Sequence, residues 1–285
     1  MLNIKSFGII GGDKRQLYCA RSIADDGYGV FINGFDQCEN TSGLKNVSLQ
    51  TVLDHSDALI LPMPLSKDGI GLFAPFSSSP HNLKELANHI VSDKPVFCGM
   101  NDKADNKILS GIKRFCYCSR EEFAAANAVP TAEGALEIAM RESCKAVSTC
   151  QCLVTGYGKI GRVLSHMLKG IGADVTVSAR QLKDMEFIKA AGMRAVSTTH
   201  LSGKYDIIFN TVPALVLDAR TLAKCASDAV VIDLASLPGG VDDEAAERMS
   251  IKVIHALSLP GKAAPKTAGI IIKNAVYNII EEEEL

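Results

Sequence analysis

Gln151–Leu168 reads QCLVTGYGKIGRVLSHML, and the fold follows from how this stretch is parsed. QCLVT is an apolar, β-rich run, and KIGRVLSHML repeats its apolar residues at helical spacing. Between them Gly156, Gly158 and Gly161 form G-x-G-x-x-G. The pattern alone is weak, but between a strand and a helix it reads as a dinucleotide fingerprint. Gly156 makes the tight turn, Gly158 admits a pyrophosphate to the backbone, and Gly161 lets helix and strand pack closely. The helix start supplies N–H groups and a positive dipole end. Gly156, Tyr157, Gly158, Lys159, Ile160 and Gly161 are therefore the expected cradle.

Outward from that turn, the grammar repeats. Asp174–Ser178, Tyr205–Thr211, Ala229–Leu234 and Lys252–Ala256 read as strands, with helices at Lys159–Lys169 and Gln181–Ala191. The first half carries strands at Phe7–Gly12, Gly29–Phe35, Ala58–Pro64, Pro95–Gly99 and Arg114–Cys118, with a helix at Lys14–Asp26. Gly69–Pro80 reads as a loop lining a ligand crevice. Pro130 and Pro265 stand where helices Thr131–Lys145 and Pro265–Glu283 would start. The expected fold class is α/β: two doubly wound parallel-sheet lobes joined by long helices. Residues 1–130 form a flavodoxin-like substrate lobe and 131–264 a Rossmann NAD(P)-binding domain. Residues 265–285 pack back on the first lobe, and a cleft lies between the lobes.

The end of the second strand of that domain selects the cofactor. An acidic residue there would bond the ribose 2′-hydroxyl of NAD. Here the run is Val177-Ser178-Ala179-Arg180, with no carboxylate before Asp184. Ser178 can donate to a 2′-phosphate and Arg180 can pair with it, which favours NADP, with NAD the alternative. Asn210, Thr211, Pro213, Asp233 and Ser236 follow two further strands and are expected at the cofactor.

Substrate residues are sought among basic turns and helix starts. Gly12, Asp13, Lys14 and Arg15 open a helix, a setting suited to a carboxylate. They do not repeat the glycine fingerprint, so no second nucleotide site is expected there. Thr131 and Glu133 open the connecting helix, where free N–H groups could hold a second carboxylate. Lys262 lies in a Gly/Pro loop near the expected nicotinamide and is a candidate for neutralising an anion or assisting proton transfer. His255, inside VIHAL, reads as a core histidine rather than a base.

Composition narrows the class. The 285 residues carry 30 Lys+Arg against 32 Asp+Glu, a net charge of −2, which argues against nucleic-acid binding. No apolar run reaches the roughly 18 residues of a membrane span. No secretory signal opens the chain, so a cytoplasmic protein is expected. Nine cysteines, without a C-x-x-C or H-x-H set, read as thiols rather than a zinc site, and no metal is expected.

Four ordered motifs, GGDKRQ, NAVPTAEGA, TGYGKIGR and LPGKAAPKTAG, together resemble the dipicolinate synthase A-subunit family over nearly the whole chain. The resemblance implies oxidation of dihydrodipicolinate to dipicolinate during sporulation, in the mother-cell cytoplasm, on a branch of the diaminopimelate/lysine pathway. It also implies a partner, the flavoprotein-like B subunit; a homo-oligomer is expected as well. The layout is more distantly similar to D-2-hydroxyacid dehydrogenases and S-adenosylhomocysteine hydrolase. Those dehydrogenases carry a catalytic His in Pro-His-Ile-Gly. Here Gly261 takes its place in Pro260-Gly261-Lys262, which disfavours a 2-hydroxyacid reaction. A nucleotide-binding subunit without hydride chemistry, and a hydroxyacid- or shikimate-type dehydrogenase, are the alternatives.

Overall fold

The computed structural model describes residues 4–41, 43–91, 93–99, 108–201, 203–226 and 228–285. Residues 1–3, where the chain was read as lacking a secretory signal, lie outside them. The chain divides into two compact units, Met1–Asn127 with Ala264–Leu285, and Ala128–Ala263.

The first unit is built on β1 (Ser6–Ile10), β2 (Gly29–Asn33), β3 (Ala58–Ile60), β4 (Val96–Cys98) and β5 (Arg114–Cys116). They form a parallel sheet in the order β2-β1-β3-β4-β5, with the order reversing between β1 and β3. Among the described residues, helices α1 (Lys14–Asp25), α2 (Leu49–His55) and α3 (Leu83–His89) connect the strands. Successive strand residues face opposite sides. Phe7, Ile9, Ile32, Ile60 and Phe97 pack beneath α1 and the C-terminal helix. Ile10, Leu59, Leu61 and Val96 pack against Val52, Leu53, Leu83 and Leu86 of α2 and α3.

A long helix, α4 (Glu121–Glu142), follows. It corrects the expected helix start at Thr131, because Pro130 lies inside α4. Proline forfeits one backbone hydrogen bond there, and the flanking runs EEFAAANAV and TAEGALEIA are rich in good helix formers. The N–H groups that a helix start at Thr131 would have exposed are those of a helix interior.

The second unit contains β6 (Gln151–Thr155), α5 (Lys159–Gly170), β7 (Asp174–Ala179), α6 (Leu182–Ala190), β8 (Arg194–Ser197), β9 (Ile207–Asn210), α7 (Ala219–Leu222), β10 (Val230–Asp233), α8 (Asp243–Arg248), β11 (Lys252–His255) and α9 (Leu259–Ala263). Its strands are all parallel, in the order β11-β10-β9-β6-β7-β8. This is the doubly wound dinucleotide order, with its switch point between β6 and β9. Cys152, Val154, Ile207 and Phe209 face α4, α5 and α6, while Leu153, Ile208 and Val231 face α7 and α8. The last helix, α10 (Pro265–Glu282), starts with Pro265 in its first turn and packs on α1. Among the described residues no helix is long and apolar enough to cross a membrane.

Candidate functional site

The turn from β6 into α5 is shaped by its glycines. Gly156 has φ +90°, and a Cβ there would sit 2.6 Å from Thr211 Oγ1. A Cβ on Gly161 would strike the Gly156 carbonyl oxygen. Gly158, the N-cap, is exposed, and a Cβ there would meet nothing within 4 Å. No side chain caps α5 and no acidic residue stands in its first turn. No acid of its own first turn thus competes for its N-terminal N–H groups and positive dipole end, the condition that suits a pyrophosphate. On these grounds the turn fits a dinucleotide.

The corresponding turn of the first unit is closed. Gly12 N–H donates to Phe73 O at 2.7 Å and Gly11 N–H to Asn33 O at 2.8 Å. The Asp13 carboxylate caps α1 by accepting from Arg15 N at 2.9 Å, in a capping box with Gln16. The Gly69–Pro80 loop, expected to line a crevice, instead supplies Phe73 as a backbone partner to this turn. Arg15 is corrected as a substrate ligand: it is 4% exposed and forked onto Asp13, with Nη2 also donating to Met63 O at 2.5 Å. Gly12 is buried and Asp13 serves as the cap, whereas Lys14 is exposed.

Around α5, Ile160 packs against the core. Lys159 is exposed and Tyr157 half-buried. The Arg162 guanidinium lies 5.0 Å over the Tyr157 ring and reaches Asp184 Oδ1 at 3.3 Å. Asp184 is thus ion-paired to the chain. Arg180 is exposed at the end of β7.

Three of the expected cofactor contacts are corrected, because their side chains are consumed inside the protein. Ser178 is 0% exposed and its hydroxyl accepts from Thr198 Oγ1 at 3.2 Å. Asn210, also 0% exposed, accepts from Thr155 Oγ1 and Val212 N, and donates to Val212 O and Asp233 Oδ1. Those four bonds fill the capacity of an amide. Asp233 is 1% exposed and accepts from Asn210, Ala235 N and Gly240 N. This network ties together the carboxyl ends of β6, β9 and β10. Thr211 Oγ1 donates to Thr155 O at 2.7 Å and is half-buried, while Pro213 and Ser236 are exposed at the rim.

A second concavity in the same unit has a volume of about 700 Å³ and is bordered by α4, the end of β11 and α9. Glu133, Glu137, Arg141, His255 and Lys262 contribute to it. Glu133 and Lys262 both border it, from α4 and α9 respectively, although Glu133 stands mid-helix rather than in a first turn. Thr131, 8% exposed, is not among the lining residues. His255 corrects the expectation of a core histidine. Its side chain is 50% exposed, with Nε2 2.9 Å from Asp243 Oδ1 and Nδ1 3.6 Å from Asp233 Oδ2. Its place at a strand's carboxyl end was the signal available in the sequence; that it stands opposite Asp233 comes from the β10–β11 register.

Comparison with known proteins fits this geometry. Residues 6–115 match the family of the N-terminal domain of the dipicolinate synthase A subunit. Residues 120–247 match the D-isomer specific 2-hydroxyacid dehydrogenase NAD binding domain. The dipicolinate synthase A subunit of Bacillus subtilis (strain 168) is 29% identical, over 99% of this chain and 98% of that protein. The crystal structure of the dipicolinate synthase A subunit from Bacillus halodurans superposes with a TM-score of 0.87 at 30% identity, covering 96% of this chain and 97% of that one. A transhydrogenase from Sinorhizobium meliloti, with a TM-score of 0.69 at 13% identity over 97% of this chain and 94% of that one, shares the fold. With that agreement along nearly the full length, the chain belongs to the dipicolinate synthase A-subunit family and carries its nicotinamide-binding, dehydrogenase-type domain.

Proposed function

We propose that this protein oxidises dihydrodipicolinate to dipicolinate with NADP, acting with a B subunit in the cytoplasm of the mother cell during sporulation. The observation that carries the reading is the α5 turn: uncapped, open over Gly158, and followed at the end of β7 by Arg180 rather than a carboxylate. The bound nicotinamide supplies a hydride acceptor. The residues of the chain hold the dicarboxylate ring, keep water away and take the proton released as the ring becomes aromatic. Lys262 pairs with a substrate carboxylate, and Glu133, which borders the same concavity, receives the proton. Gly261, in place of a dehydrogenase histidine, suits a reaction driven by aromatisation rather than alcohol oxidation.

The test supplies dihydrodipicolinate, NADP and the B subunit, and follows NADPH absorbance and dipicolinate together. Both should rise only when this chain is present, and dipicolinate formed at full rate without it would overturn the proposal. Substrate labelled with deuterium at the reacting carbon should pass its label to the nicotinamide. Label that never arrives would make the chain a nucleotide-binding partner instead. Arg180→Ala should weaken NADP binding about 10- to 100-fold, the loss of one charge-assisted phosphate contact, and leave NAD binding unchanged. Tighter binding of NAD than NADP by the unaltered protein would reverse the cofactor assignment.

A further inference from the structure

We propose that Cys116 and Cys118 form a redox-active dithiol, a modification site that closes to an intrachain disulfide by exchange with a low-molecular-weight disulfide. It is independent of the cofactor reading.

The geometry comes from the junction of two kinds of backbone. β5 ends at Cys116, and a 3-10 turn, Tyr117–Ser119, begins at the next residue. In a strand, residues i and i+2 share a face with Cα atoms about 6.6 Å apart, near the upper limit for a disulfide. The shorter rise of the 3-10 turn, about 2.0 Å per residue, draws the second residue in. The two Sγ atoms stand 3.3 Å apart. The residue between them is fixed: Tyr117 is 0% exposed and its hydroxyl donates to Leu61 O at 3.0 Å. The sulfurs are thus held on one side of an anchored backbone, and both cysteines are half-buried, within reach of a small reagent.

The pair also divides the labour of exchange. A hydrogen bond to Cys116, followed by burial, holds the Cys118 thiol well above its ordinary range. A thiol held that high stays protonated, which assigns the first attack to Cys116. The Cys116 thiolate displaces one thiolate from the small disulfide and forms a mixed disulfide. With Cys116 in the mixed disulfide, the hydrogen bond that raised Cys118 is lost; Cys118 gives its proton to the departed thiolate and attacks Cys116 Sγ, expelling a second thiolate that takes up the proton Cys116 had released. Two electrons leave the dithiol and two small thiols are formed. By contrast, burial pushes Cys19 and Cys152 up to about 12, which suits inert core thiols. Cys98 stands opposite Cys116 across the β4–β5 ladder, but it is buried and its Sγ points to Phe115 O at 3.7 Å.

The experiment equilibrates the full chain with mixtures of oxidised and reduced glutathione, quenches in acid, alkylates the remaining thiols and digests with trypsin. The peptide Phe115–Arg120, FCYCSR, carries both cysteines and no other. It should appear unalkylated and lighter than the reduced peptide by two hydrogens. Cys118→Ser should stop at a glutathione adduct on Cys116, and Cys116→Ser should give no closed product. Phenylarsine oxide, which clasps two neighbouring thiols, should bind the unaltered protein and Cys98→Ala alike, and each single serine variant about tenfold more weakly. A doubly alkylated peptide under conditions that convert the exposed Cys144 to its adduct would overturn the proposal, as would a Cys98–Cys116 disulfide.

Discussion

A methyl group added at Gly161 would run into the Gly156 carbonyl oxygen, a backbone atom that cannot swing aside. Gly161→Ala should therefore lower stability by about 1–3 kcal/mol, the usual result of overpacking, read as a lower urea midpoint. At Gly158 the same methyl meets open space and φ is an ordinary −77°. Gly158→Ala should hold stability within about 1 kcal/mol, the difference between the two residues at an N-cap. It should nonetheless lose dinucleotide affinity, because the methyl occupies the path of the pyrophosphate. Calorimetry with NADP separates the two variants, and unchanged affinity in Gly158→Ala would remove the pyrophosphate from this turn. These glycine roles were legible because strand, turn and helix are local in sequence. Asn210, Ser178 and Asp233 were not read correctly, since a polar residue at a strand end is equally suited to a ligand or to a neighbour. Only the β6–β9–β10 register makes Thr155, Asn210 and Asp233 partners. Asn210→Ala leaves Asp233 short of a donor and Thr155 short of an acceptor, and should destabilise by about 1–3 kcal/mol in thermal or urea unfolding.

Elements were read best where a pattern was strong and contained. α5 and the apolar strands followed directly from periodicity. β8 and the short helices α2, α3 and α7 were missed because four to seven residues carry too little periodicity to stand out. Pro130 misled because its preference for a first turn is a local term, outweighed by helix formers on both sides. The loop after β3 shows the same limit, since its partners are distant in sequence. It returns through His81, whose Nε2 lies 2.6 Å from Asn33 Oδ1. The Asn33 amide is oriented by its own bond to Val47 O at 2.7 Å, so His81 Nε2 is the donor. Burial lowers the pKa of His81 below its ordinary 6.5. Above that pH neither the folded nor the unfolded chain binds the proton, and His81 adds no pH dependence. As pH falls through 6.5 the unfolded chain takes the proton first, so stability declines until the folded-state pKa is passed. The urea midpoint should fall between pH 7 and pH 5, and His81→Gln should flatten that part of the decline. An identical slope in the variant would show that other groups set it.

At the scale of the whole molecule, the chain's end completes the core of its beginning. Ile271, Ile272, Val276 and Ile279 of α10 are each at most 9% exposed and belong to the same apolar cluster as Leu17, Ala20 and Ile23 of α1. The contact is close: a Cβ on Gly269 would lie 2.5 Å from Arg15 O. Lys273 Nζ donates to Asp26 Oδ2 at 2.7 Å, and this bond, with that of the Tyr277 hydroxyl, holds the Asp26 carboxyl below the usual carboxylate range. Burying four large aliphatic side chains is worth about 6–12 kcal/mol at 1.5–3 kcal/mol each. That equals most of the 5–15 kcal/mol that stabilises an ordinary domain. A fragment ending at Asn127 should therefore show no cooperative unfolding transition. The second unit carries its core without α10. A fragment spanning residues 121–263, which keeps α4 whole, should unfold cooperatively and bind NADP with the affinity of the full chain. Dichroism against urea and calorimetry decide both points. If the first fragment folded as firmly as the intact protein, α10 would be an appendage to that core rather than part of it. If residues 121–263 folded but bound no nucleotide, the α5 turn alone would not suffice to hold the cofactor.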